Sequence, residues 1–166
     1  MSAPLIVVTG VSGSGKTTIG QKLAGRLAVP YAEADDFHSP HNVAKMRAGV
    51  PLDDEDRRPW LDAIAAWLAG HADHGGVVTC SALKRGYRDR LAAASPDAFF
   101  LHLDGSAELI AGRLAAREGH FMPASLLRSQ IDALEPLGPD ESGAAIAIDG
   151  TPEETAALAY AAVMDR

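Results

Sequence analysis

Gly10-Val11-Ser12-Gly13-Ser14-Gly15-Lys16-Thr17 satisfies the spacing G-x-x-x-x-G-K-[ST] at every defined position. Residue types in this order make a phosphate cradle. Glycines let successive backbone N–H groups converge on anionic oxygens without Cβ clashes. A helix beginning at Lys16 adds the positive end of its dipole. The Lys16 ammonium would hold the β- and γ-phosphates of a nucleoside triphosphate such as ATP. The Thr17 hydroxyl would sit on Mg2+, and the backbone as far as Thr18 would complete the cradle. The alternative, an incidental Gly/Ser turn, does not account for the flanks. Leu5 to Thr9 is a β-branched apolar run that reads as a buried strand, and Ile19, Leu23 and Leu27 recur four apart on one helical face.

Further along, polar groups collect where strands are expected to end. A second strand, Tyr31 to Ala34, runs into Glu33-Ala34-Asp35-Asp36. Carboxylates at such an end can orient an acceptor hydroxyl or hold the water shell of a magnesium ion; a solvated acidic turn is the alternative. Asp35 is the candidate base, with Asp36 turned to the opposite side. His38 either binds an acceptor or pins its loop. Lys45 and Arg47 either contact the acceptor or cover a helix face. Arg57 and Arg58 follow the acidic run Asp53 to Asp56; they form surface ion pairs, or Arg57 reaches the transferring phosphate. Lys84 and Arg88 lie four apart, on one helix face that starts just after a strand end, a placement that favours anion binding. Arg113 and Arg117 repeat that spacing, and His120 lies in a Gly-containing segment suited to a lid that excludes water.

The elements that must position these groups alternate. Strands are expected at Leu5 to Thr9, Tyr31 to Ala34, Val77 to Cys80, Ala98 to Leu103 and Ala145 to Ile148. Helices are expected from Lys16, around Asn42 to Ala48, from Pro59-Trp60, over Lys84 to Ala94, from an N-cap at Ser106 to Arg117, from Pro123 to about Leu134, and after the capping box Thr151-Pro152-Glu153-Glu154. Such alternation implies βαβ units and a parallel sheet, an α/β fold of three layers, α/β/α, with five strands. Residues 1–166 read as one domain, with no internal repeat, low-complexity tract or linker.

Bulk composition narrows the function classes. The net charge is −7, so a field that captures nucleic acid is missing, and phosphate must be handled by a local cluster. No apolar stretch approaches a membrane span, and no signal peptide is read at the N-terminus. Cys80 is the single cysteine, which rules out an intrachain disulfide and suits the cytoplasm. It lacks an activating partner and reads as a buried strand residue. The six histidines show no metal-ligand spacing, so no structural zinc is expected. Neither Asn-Lys-x-Asp, the usual guanine reader, nor the usual acidic strand of ATPase motors is present.

Beyond the phosphate loop, the chain resembles the gluconokinase family, in the wider group of shikimate and adenylate kinases. The resemblance runs from about Leu5 to Glu135 and rests on four blocks. They are Asp35-Asp36-Phe37-His38 with Asn42, Lys45 and Met46; Gly49-Val50-Pro51-Leu52 through Asp56-Arg57-Arg58-Pro59-Trp60-Leu61; Cys80-Ser81-Ala82-Leu83-Lys84 with Tyr87-Arg88-Asp89; and Arg117-Glu118-Gly119-His120-Phe121-Met122 with Gln130. Glu33 departs from the aspartate the family pattern would place there. The resemblance implies ATP-dependent phosphorylation of D-gluconate at its 6-hydroxyl. It implies Asp35, His38, Lys45, Arg47, Lys84, Arg88, His120 and Gln130 at the acceptor, Arg113 and Arg117 on ATP, a small helical lid at about 117–135, the strand order of nucleoside monophosphate kinases, and a homodimer. Another small-molecule kinase, such as shikimate kinase, and a nucleotide-binding switch without an acceptor are the other readings.

Overall fold

The computed structural model describes residues 3–116 and 124–166. Strand β1 (Leu5–Thr9) leads into helix α1 (Lys16–Leu27), then β2 (Tyr31–Glu33), a 3-10 turn at Ala34–Phe37, α2 (Pro40–Arg47), α3 (Asp54–Gly70), β3 (Gly76–Thr79), α4 (Arg85–Ala94), β4 (Phe99–Asp104), α5 (Ala107–Ala116), α6 (Ala124–Ala133), β5 (Gly143–Ala147) and α7 (Pro152–Met164). All five strands are parallel, in the order β2-β3-β1-β4-β5.

The period-2 alternation of the strands separates two cores. Ile6, Val8, Val77, Phe99, Leu101 and Leu103 face one side and pack with Ile19 and Leu23 of α1 and Ala159 and Val163 of α7. Leu5, Val7, Val78 and Phe100 face the other and meet Trp60, Leu61, Ile64 and Leu68 of α3 and Leu91 of α4. Strands covered on both faces are apolar throughout, which is why β1 reads as an unbroken hydrophobic run.

Helix α3 starts earlier than Pro59. Asp53 caps it by accepting from Asp56 N–H at 2.8 Å, and the Asp56 side chain accepts from Asp53 N–H in return. This reciprocal box outweighs the missing N–H of Pro59, which therefore lies inside the helix. The expected second strand is also shorter: its last residue, Ala34, opens the 3-10 turn. The caps expected at Ser106 and Thr151 are present, accepting from Leu109 N–H and Glu154 N–H, both at 3.1 Å.

Parallel pairing puts the C-terminal ends of β1, β2, β3 and β4 at one sheet edge. Val8 is in register with Thr79 and Leu101, and Glu33 with Thr79. The chain leaves β1 toward one side of the sheet and reaches β4 on the other, so β1 ends at the topological switch, where open α/β sheets take ligands.

Candidate active site

The glycine-rich segment leaves β1 at that switch. Gly15 has φ of 96°, a left-handed conformation in which a Cβ is strained, and it serves as the N-cap of α1. No side chain caps the helix, and a helix start of this kind presents backbone N–H groups that suit an anion. Lys16 bends back along the loop, its Nζ donating to Gly10 O at 2.9 Å and Val11 O at 3.1 Å. An uncapped helix end flanked by lysine has the chemistry that a triphosphate requires.

Thr17 is exposed on the first turn of α1. Tyr31 of β2 reaches the same turn. Its hydroxyl donates to Glu33 Oε1 at 2.8 Å, and the Thr17 and Thr79 side chains bear on the same phenol. Burial, then Glu33, pushes the Tyr31 hydroxyl up to about 12, so it remains a donor at any physiological pH. Gly20 makes room for the ring: a Cβ there would lie 2.8 Å from Tyr31 Cε1. Glu33 is thereby oriented toward the Thr17 neighbourhood by a second residue, a link that a strand-end pattern in the sequence does not disclose.

Asp35 and Asp36 are both exposed on the 3-10 turn. They do not continue an extended strand, so their side chains diverge by about 120° and not 180°. Trp60 fixes the turn from below, its indole N–H donating to Ala34 O at 2.7 Å. The indole is thus buried without leaving an unmet donor. His38 stacks on Trp60 with ring centroids 4.5 Å apart and planes 8° from parallel. Burial is the largest influence on His38 and lowers its pKa; the Asp35 carboxylate opposes this and the Arg57 guanidinium adds to it. Asp35, His38 and Arg57 therefore share one electrostatic neighbourhood. The buried Cys80 thiol, pushed up to about 12 chiefly by burial, feels both Lys16 and Asp35, which joins that neighbourhood to the phosphate loop.

Arg57 extends the cluster to α4. Its Nη1 donates to the Tyr87 hydroxyl at 3.3 Å, and that hydroxyl donates to Asp54 Oδ1 at 2.8 Å. The Lys84 ammonium and the Arg57 guanidinium each lie 5.8 Å from the centre of the Tyr87 ring. Lys84 is the exposed N-cap of α4 and follows the β3 end through only Cys80 to Leu83. Tyr87 is thus the hub on which two cations of the cluster converge.

Other expected site residues have different surroundings. Lys45 is paired with Asp56, which also accepts from His41 at 3.1 Å, so it ties α2 to α3. Arg47 is exposed at the end of α2. Gln130 of α6 is joined to the phosphate loop: its Oε1 accepts from Ser12 N–H at 2.8 Å and its Nε2 donates to Ser12 Oγ at 3.1 Å. Arg113 donates to Ile148 O and to Gly150 O, holding the turn between β5 and α7. Arg117 and His120 lie outside the described residues.

Arg88 needs a correction. The i,i+4 spacing with Lys84 would put it at an anion, but it is 2% exposed. Its guanidinium meets Glu141 Oε1 at 2.7 Å and Oε2 at 3.1 Å, Ala82 O at 3.0 Å, Leu83 O at 3.3 Å and Pro136 O at 3.3 Å. All five N–H donors of an arginine are engaged. Arg88 is a brace for the Ala82–Leu83 backbone, where Ala82 holds a φ of 39°, and so for the loop that carries Lys84. The brace has a pH signature. Hydrogen bonds from Arg88, the largest influence, hold Glu141 below its ordinary 4.5. A depressed carboxylate contributes stability that is present above its ordinary pKa and lost as pH falls through the folded value. Glu141→Gln is expected to lower stability at pH 7 by about 2 kcal/mol, the scale of a charge-assisted hydrogen bond. Its melting temperature should also fall less than that of the wild type between pH 6 and roughly pH 3. Parallel pH profiles for the two proteins would remove the brace.

Fold and site together define a P-loop kinase: a glycine-rich phosphate loop at the switch point, with a polar cluster beside the neighbouring strand ends. Comparison with known proteins narrows this class. A family model described as shikimate kinase matches residues 12–135. A gluconokinase from Gluconobacter oxydans (strain 621H) is 52% identical over 138 residues, covering 82% of this chain and 78% of the relative. The thermosensitive gluconokinase of Escherichia coli (strain K12) is 46% identical over 143 residues, covering 85% and 76%. The crystal structure of a gluconokinase from Sinorhizobium meliloti 1021 superposes with a TM-score of 0.91 at 41% identity, covering 98% of this chain and 93% of that one. The chain belongs to the gluconokinase family, within the shikimate-kinase-like kinases.

Proposed function

We propose that this chain transfers the γ-phosphoryl group of ATP to the 6-hydroxyl of D-gluconate, giving 6-phosphogluconate and ADP. The observation that carries this reading is the junction at one sheet edge of an uncapped phosphate loop with a cluster that holds both a carboxylate and cations: Asp35, His38, Arg57, Tyr87 and Lys84. Gluconate is an anion, and Lys84 offers an exposed charge for its carboxylate. Asp35 takes the proton of the 6-hydroxyl as its oxygen bonds to the γ-phosphorus and the bond to the ADP oxygen breaks. Lys16, the N–H groups of Gly13 to Thr18 and Arg57 stabilise the charge that spreads over the transferring group.

Magnesium suits the Thr17 turn. Among the described residues no group of three or more His, Cys, Asp or Glu could hold a metal by itself. The ion would be held through the Thr17 hydroxyl, phosphate oxygens and waters, the arrangement Mg2+ favours. When bound, the ion neutralises phosphate charge. Glu33, oriented by Tyr31, would accept from one of its waters.

Arg113 supports the nucleotide by holding the Ile148–Gly150 turn. The segment at about 117–135, with Arg117 and His120, acts as a lid over ATP and gluconate. Its C-terminal part is tied to the phosphate loop through Gln130 at Ser12 and to the loop before Lys84 through Glu135 N–H donating to Leu83 O at 2.7 Å. Residues 1–166 form one kinase domain, with Arg47 at the rim of the acceptor site. No helix among the described residues is long and apolar enough to cross a membrane. A cytoplasmic homodimer is the setting that the chain's single cysteine and its family favour.

The reading is tested by coupled ADP release with gluconate, shikimate and nucleoside monophosphates as acceptors. Release with gluconate alone is expected; release that needs no acceptor would make the chain a nucleotide switch. Lys84→Ala is expected to raise KM for gluconate about tenfold, the scale of one exposed charge-assisted contact, with KM for ATP little changed. A loss confined to ATP would place the acceptor elsewhere.

A further inference from the structure

Asn42 is 2% exposed, though it is polar and sits on a short helix at the protein's rim. Its amide is oriented without ambiguity. The atom 2.8 Å from Asp56 O faces a backbone carbonyl, which only accepts, so that atom is Nδ2. The same nitrogen lies 3.3 Å from His38 Nδ1. An amide nitrogen carries two hydrogens and no acceptor lone pair. With one hydrogen on Asp56 O, the other is available to His38, and Nδ1 must then be the unprotonated nitrogen.

We propose that Asn42 is the positioning residue that fixes His38 as the Nε2–H tautomer, so that His38 offers the acceptor sugar acid a hydrogen-bond donor, and reads a hydroxyl or carboxylate oxygen. This rests on the reading of this edge as the acceptor site. Contacts to the ring, to Asn42 and to Asp56 support that role. Trp60 stacks on its face, which fixes the plane. Ser39 Oγ accepts from Asn42 N–H at 3.2 Å, which sets the first turn of α2 and so the position of the amide. Asp56 is itself anchored by Lys45, His41 and Asp53 N–H, so the carbonyl that orients Asn42 belongs to a residue held from three sides. The charged groups that act on the ring are Asp35, which favours its protonation, and Arg57, which opposes it; burial outweighs Asp35 and keeps the imidazole neutral.

A neutral donor suits this place. An imidazolium beside Arg57 would add a second cation and attract anions without regard to shape. A neutral Nε2–H discriminates by geometry, because a donor finds a partner only where an oxygen is correctly placed.

The test has two arms. Long-range 15N–1H spectra of the labelled protein at neutral pH, with His38 assigned from its disappearance in His38→Gln, should show a neutral ring protonated at Nε2. Protonation at Nδ1, or a rapid mixture of tautomers, overturns the assignment to Asn42. Asn42→Asp, which cannot donate to the ring, should move the His38 signal toward Nδ1–H or imidazolium; an unmoved signal overturns it too. If that variant fails to fold, the wild-type spectrum and the second arm still decide. The second arm compares His38→Gln, whose amide nitrogen falls near the position of Nε2, with His38→Asn, whose nitrogen falls near Nδ1. KM for gluconate should rise about threefold in the first and about thirtyfold in the second, a tenfold difference on the scale of one hydrogen bond, with KM for ATP the same in both. Equal losses in the two overturn the donor role. An Nε2–H spectrum with no change in gluconate KM in either variant leaves the tautomer standing and overturns the acceptor-site reading beneath it.

Discussion

Lys16→Ala is expected to lower kcat by about 10³ at saturating ATP and gluconate, with the fold intact. The magnitude follows from removing one charged donor aimed at the transferring group, an effect of 3 to 4 kcal/mol, roughly, in a water-excluded site. The fold should survive because Lys16 is the first residue of α1, where alanine is the best helix former, and because its side chain contributes no core packing. What the variant also loses is the pair of bonds from Nζ to Gly10 O and Val11 O. Those bonds shape the loop before nucleotide arrives, so KM for ATP should rise as well, by less than kcat falls. Circular dichroism and thermal melts establish the fold; single-turnover phosphoryl transfer isolates the chemical step. A folded Lys16→Ala protein with near wild-type turnover would remove the phosphate loop from catalysis.

What the sequence discloses about this protein follows from the range of the interactions involved. The phosphate loop, β1 and α1 are local and reinforce one another: an apolar strand, a spaced glycine motif and a four-residue helical repeat are each readable within a few residues. The same holds for the alternation that yields a parallel sheet and for the caps at Ser106 and Thr151. Misreadings arise where a local rule meets an unfamiliar partner. Pro59 has the look of a helix start, but the reciprocal pair Asp53–Asp56 begins α3 earlier, using aspartate on both sides of a box usually recognised from Ser or Thr and Glu. Arg88 has the spacing of an anion-binding pair with Lys84. Its true partner, Glu141, is 53 residues away and arrives through a loop, so no spacing rule can reveal it. Tyr87 and Trp60 are similar cases. The sequence marks them as aromatic residues in helices, whereas their roles, as a hub for Arg57 and Lys84 and as a platform for His38, exist only once α3, α4 and the 3-10 turn are packed together.

The last expected result separates two neighbouring carboxylates. Asp35→Asn keeps the size and most of the hydrogen bonding of the side chain and removes its charge. If Asp35 takes the proton of the acceptor hydroxyl, kcat should fall by about 10² or more, the usual scale for a positioned base. Asp36→Asn should be milder, by about an order of magnitude. Both residues lie on the 3-10 turn Ala34–Phe37, so Asp36 is not turned to the opposite side as in an extended strand, and the difference rests on electrostatics. Asp35 acts on His38, and both Asp35 and Lys16 act on the thiol of Cys80, just after β3. Asp35 is thus the carboxylate tied at once to the acceptor cluster and to the phosphate loop. Its backbone is also the one that closes the turn, Asp35 O accepting from His38 N–H at 3.4 Å. Phosphoryl transfer depends largely on positioning and charge, so a residual rate in Asp35→Asn is compatible with a base at this position. The discriminating quantity is the ratio between the two variants, measured as kcat and both KM values at saturating Mg2+. A larger loss in Asp36→Asn would move the catalytic carboxylate one residue along the turn. Full activity in both would reduce the acidic pair to a solvated turn and require the proton to leave through another group of the cluster.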